Sequence, residues 1–177
     1  MKLKKSQIIG FIFTSVIGSI LHFTYDWSGN NLIVGIFSAV NESTWEHLKL
    51  FFVPMLIFGT AEYFVYGKKL VNFIQVRFLS ILIGLAVIIV GFYTYSGLIG
   101  KNYLAVDILL FIAAVFAAYC ASYKLFRTGR YSSPHAKGLA LLGFVFLLAC
   151  MVLFTFAPPH IQLFLDPVTG TYGVPLK

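Results

Sequence analysis

Two short stretches hold most of the side chains in this sequence that could do chemistry. Residues 22–29 read "HFTYDWSG" and residues 41–49 read "NESTWEHLK". His22 and Asp26 are four residues apart, as are Glu42 and Glu46, and Ser43 and His47. Residues at that spacing share one face of a helix. Neutral imidazole and carboxylate are ligands that zinc takes, commonly three from the protein with one position open in catalytic sites. The same donors suit iron or manganese. His22, Asp26 and His47 are therefore candidate metal ligands, with Glu42 or Glu46 as a further ligand or a catalytic general base. A bound metal lowers the pKa of its water and yields a nucleophile at neutral pH. The chain has no His-Glu-x-x-His run and no paired cysteines, so it matches no standard zinc motif.

Helix architecture alone accounts for part of the same stretch. Ser43-x-x-Glu46 fits a capping box. Glu46 and Lys49 fit an ordinary helical ion pair. Asn41 or Ser43 would end one helix and begin the next, and Trp45 suits a membrane interface. None of this requires His22, Asp26, Glu42 and His47 together. His160, in the C-terminal tail, is a further candidate to reach the cluster.

The elements that must position these residues follow from composition. The chain has 177 residues, 59% hydrophobic and 11% charged. Soluble domains carry about 25% charged residues. Several stretches approach the roughly 20 apolar residues that cross a bilayer core. Backbone groups in lipid must bond internally, which demands helices. The fold class is thus an all-α integral membrane bundle. Five spanning helices are predicted, over 6–25, 44–66, 74–96, 103–126 and 137–156, in one polytopic membrane domain. Residues 157–177 form an interfacial tail. The N-terminus has the charged head of a signal peptide but a longer apolar run and no A-x-A-like site, and reads as a retained helix.

The segment 31–40, "NLIVGIFSAV", rises about 15 Å as a helix, half a bilayer core. It is interfacial, re-entrant, or the start of a span over 31–53. The last option would bury Glu42, Glu46 and His47 at mid-depth, where charge is expensive. The polar cluster is therefore placed at the membrane mouth.

Charge placement sets the orientation. Lys2, Lys4, Lys5, Lys68, Lys69, Arg77, Lys124, Arg127, Arg130 and Lys137 fall on one side, and Lys49, Lys101 and Lys177 on the other. The bias predicts a cytoplasmic N-terminus and an external tail, in a multi-pass protein of the cell membrane. It also explains the net charge of +7 through contact with anionic lipid rather than nucleic acid. Glu62 alone among the acids lies toward the inner end and reads as a snorkelling side chain. Gly10, Thr14, Gly18, His22 and Asp26 recur every four residues and form a ridge for close helix packing that ends in the polar pair, and Ala113, Ala117 and Ala121 form a second one. Cys120 and Cys150 lie at different depths and read as apolar filler.

The two polar motifs carry a resemblance. His22, Tyr25, Asp26 and Trp27, followed by Asn41, Glu42, Ser43, Trp45, Glu46 and His47, resemble a family of small polytopic bacterial membrane proteins catalogued as a domain of unknown function. The resemblance covers most of the chain and implies no activity. A looser analogy is to the membrane zinc hydrolases that include alkaline ceramidases. Those have about seven spans and a C-terminal His-x-x-x-His that this sequence lacks, so the analogy assigns no residue.

Three functions follow as expectations. The first is an outward-facing His/Asp/Glu metal site, with zinc as cofactor and iron or manganese as alternatives, hydrolysing a lipid-like substrate. Asn41, Ser43, Lys49 and His160 would border it, and membrane lipid or a small polar ligand would meet it at the outer face. The second is a cation or small-solute transporter component using the same carboxylates with Glu62 and Asp107. So small a chain would then need a partner or a homo-oligomer to form a path. The third is an assembly or anchoring protein, although the basic tail or extramembrane domain expected of one is missing.

Overall fold

A computed structural model describes residues 3–174. Lys2 and Lys177, counted above for orientation, lie outside the described residues. Among the described residues, five helices are long and apolar enough to cross a membrane, as expected. They are α1 (Leu3–Trp27), α3 (Thr44–Val65), α4 (Phe73–Ile99), α5 (Leu104–Phe126) and α6 (Pro134–Phe156). A single-turn helix, α2 (Leu32–Gly35), interrupts the first loop. The helix signals are local. Ser43 and Ser133 cap α3 and α6 with their side chains, Pro134 opens α6, and Gly100 closes α4 in the left-handed region.

The start of α1, the turn at Gly67–Lys69 and the loop after α5 share one end of the bundle. This basic end carries Lys4, Lys5, Lys68, Lys69, Lys124, Arg127, Arg130 and Lys137. The loop holding α2 and the chain after α6 lie at the other end, with "NESTWEHLK". Because α3 starts at Thr44, residues 31–40 do not begin a span, and the motif stands where a helix enters the bundle.

α3 is the most enclosed helix. Phe51, Phe52 and Met55 are fully buried, in a core with Ile81 of α4 and Val115 and Ala118 of α5. The ridge of α1 packs as its spacing implies: Gly10, Thr14 and Gly18 are buried. A Cβ at Gly18 would run into the Leu50 carbonyl of α3, so only glycine permits this approach. The second ridge is displaced by one residue. Ala114, Ala118 and Ser122 are buried, whereas Ala113 is exposed. An unbroken apolar sequence does not distinguish neighbouring stripes, because lipid and protein select the same residue types.

Two cations and two acids prove to be buried in pairs. Arg77 and Glu62 are buried and paired with each other. Gln7 and Tyr66 donate to the same carboxylate at 2.9 and 2.5 Å, and Ser6 donates as well. Arg77 also donates to Ser122 of α5 at 3.2 Å. The network ties α1, α3, α4 and α5 together. Neither Glu62 snorkels nor Arg77 acts as a topology charge, because each satisfies the other inside the bundle. Lys49 is likewise buried, 2.5 Å from Glu46, and donates to the Gly35 carbonyl and to Thr155 of α6, both at 2.8 Å. Both cysteines are free.

Candidate metal centre

The site grows from the first turn of α3. Ser43 caps it, its hydroxyl accepting from the Glu46 amide at 3.3 Å. The reciprocal half of a capping box is absent: Glu46 accepts from the Val40 amide at 3.0 Å, and Asn41 Oδ1 takes the Ser43 amide at 2.9 Å. Asn41 Nδ2 donates to the Gly173 carbonyl at 2.8 Å, which ties the C-terminal tail over this helix start. Trp45 turns inward and is buried against Phe154 and Phe164.

His47 follows one turn after Ser43. Its Nδ1 lies 2.9 Å from the Ser43 carbonyl. A carbonyl only accepts, so Nδ1 carries the proton and the neutral ring offers its lone pair at Nε2. That lone pair points into a group of three. Nε2 of His22 lies 3.2 Å away. Oε2 of Glu42 lies 3.4 Å from His47 Nε2 and 3.8 Å from His22 Nε2. Three atoms with those separations share a point about 2.0 Å from each, against zinc–ligand bonds of about 2.0–2.2 Å. The Ser43 carbonyl fixes the tautomer and orientation of the His47 ring, as backbone carbonyls do for histidines that bind metals.

Water reaches the group. The side chains of His22, His47 and Glu42 are 33%, 31% and 47% exposed, which leaves room for a fourth ligand. Without an ion, the contact between imidazoles is a hydrogen bond from His22 Nε2–H to the His47 lone pair.

The other sequence candidates have different partners. Asp26 is exposed and accepts from Asn30 at 3.3 Å. Glu46 is committed to Lys49, Val40 and Thr155. His160 is exposed and stacks on Tyr172, with ring centroids 4.5 Å apart. Glu42, assigned from sequence to base or ligand, is the one carboxylate in the group of three. What the sequence did not signal is the role of the Ser43 main chain, since a backbone carbonyl has no residue type.

Comparison with curated proteins and with solved structures finds no match. A family model does match, over residues 1–174, and the chain therefore belongs to the family of unknown function DUF6512.

Proposed function

We propose that His22, His47 and Glu42 bind a divalent metal, zinc first among the candidates, with a fourth position open to water. The observation that carries this reading is the common point about 2 Å from all three donor atoms. The bound ion would polarise a substrate oxygen and supply a water-derived nucleophile at neutral pH. The surroundings favour an amphiphilic substrate with a hydrolysable bond. Phe23, beside the His22 ring, and Trp27 stack on each other with centroids 5.7 Å apart, and both are exposed at the helix end. They offer an apolar flank to a lipid chain while the donors face water.

The site would face outward. Lys4, Lys5, Lys68, Lys69, Lys124, Arg127, Arg130 and Lys137 cluster at the opposite end, and removing the buried Arg77 and Lys49 from the count leaves the bias intact. With Cys120 and Cys150 replaced by alanine, Gly97→Cys should react with an impermeant thiol reagent on intact cells and Ser132→Cys should not. The reverse pattern would invert the protein.

Elemental analysis of the purified protein in detergent tests the metal. The parent should hold close to one equivalent of zinc, iron or manganese, and the His22→Ala/His47→Ala variant none. A folded parent that stays metal-free after reconstitution with each ion would sink the reading. Lipid hydrolysis is then assayed with metal-loaded and metal-stripped protein.

A further inference from the structure

We propose that the basic end holds a second site, which binds the phosphate-ester anion of a membrane lipid headgroup or of a free phosphate compound. The site is a cleft of about 80 Å³ where the Gly67–Lys69 turn, the start of α4 and the start of α6 meet. Lys68, Lys137, Gln75, Phe73 and Ile74 line it. Three features converge there.

The first is charge. Lys68 and Lys137 come from different elements, and no salt-bridge partner is found for either among the described residues. Lys68 lies over the Phe64 ring, its Nζ 4.6 Å from the centroid. The second is the start of α4. Asn72 stands at the cap position, but its side chain donates to the carbonyls of Leu125 and Arg130, at 3.2 and 2.9 Å, and makes no cap. The first-turn amides of a 27-residue helix are left without a capping acceptor, at the end where the helix dipole favours an anion.

The third feature is independent of both. Gln75 is 5% exposed, and its Nε2 has no hydrogen-bond partner. A buried amide left unpaired is costly, and native proteins seldom leave one so. Gln75 lines the cleft, so an anion seated there supplies the missing acceptor. Two ammonium groups, uncapped backbone amides and the unpartnered Nε2 donor of Gln75 call for an acceptor with several oxygens and at least one negative charge. Phosphate esters have both, and basic pockets between membrane helices bind such headgroups.

Native mass spectrometry of the full chain in neutral detergent tests this. The probes are dioleoyl phosphatidylglycerol, dioleoyl phosphatidylcholine and inorganic phosphate, each titrated into the parent and into Lys68→Ala/Lys137→Ala. Both lysines are exposed, so the variant should melt with the parent. One equivalent of phosphatidylglycerol, retained at least tenfold more tightly than phosphatidylcholine and weakened at least tenfold in the variant, supports a lipid headgroup site. Saturable inorganic phosphate binding, lost in the variant, with no further gain from the lipid, supports a site for free phosphate compounds. Equal retention of both lipids with no phosphate binding overturns the proposal. So does anion binding that the variant leaves unchanged. Gln75→Leu should weaken the anion further. If that variant does not fold, Lys68→Glu/Lys137→Glu should abolish binding, and persistent binding there overturns the proposal.

Discussion

His22 of α1 and His47 of α3 meet at 3.2 Å through their Nε2 atoms, although 25 residues separate them in the chain. The contact depends on how closely the two helices approach. Gly18, one turn before His22, sets that distance, because a Cβ there would meet the Leu50 carbonyl. Gly18→Ala should therefore part the imidazoles. Overpacking of this kind costs about 1–3 kcal/mol. Thermal unfolding in detergent should show that loss together with reduced metal content. Gly97→Ala, in α4 with no neighbour within 4 Å, should leave metal content unchanged and raise the melting point slightly, since alanine is the better helix former by about 0.5–1 kcal/mol. Normal metal content in a destabilised Gly18→Ala protein would separate helix packing from the site.

Glu42 and Glu46 should part company in the same two measurements. Glu42→Gln removes the only carboxylate in the group of three while sitting half in water, so metal content should fall with little change in melting. Glu46→Gln breaks a buried pair with Lys49 and strands an ammonium group. Such a loss costs about 3–5 kcal/mol. Metal content per folded molecule should hold. The opposite assignment would make Glu46 the functional carboxylate.

Ser43 serves the site through its main chain and the helix through its side chain. Ser43→Ala removes the cap and should cost about 1 kcal/mol. It keeps the carbonyl that accepts from His47 Nδ1. Metal affinity should thus survive in Ser43→Ala as a melting shift alone appears. A proportionate loss of metal would show that the hydroxyl has a role of its own.

The five helices and the histidine pair were legible because their signals are local. Apolar length gives the spans, and i, i+4 spacing gives His22 at the end of the Gly10–Gly18 ridge. Asp26 obeys the same spacing as His22 yet turns to Asn30, since it lies in the last turn of α1, where the chain is leaving the bundle. Glu46 and Glu42 look alike in sequence. Glu46 is the buried one, held by Lys49, by the Val40 amide and by Thr155 of α6, more than a hundred residues away. Arg77 reads in sequence as a topology charge because its partner, Glu62, belongs to another helix. Pairing across helices is set by packing, and one sequence carries no local trace of it.

That last pair bears on the transport alternative. Glu62 is saturated: Ser6, Gln7, Tyr66 and Arg77 all address its carboxylate, and four helices close around it. A carboxylate so engaged acts as a fastening for the bundle, whereas a proton carrier must exchange partners. Arg77→Met alone should be severe, because it leaves a buried charge uncompensated, at about 3–5 kcal/mol. Glu62→Gln/Arg77→Met removes both charges at once and should recover at least half of that loss. The double variant should also bind metal as the parent does, since the pair lies at the far end of α3 from His47. A proton-coupled carrier makes the contrary prediction: the double variant would fold well and bind metal, yet lose function as completely as His47→Ala. Melting, metal content and an uptake assay in liposomes, measured on the parent and these three variants, decide between the two.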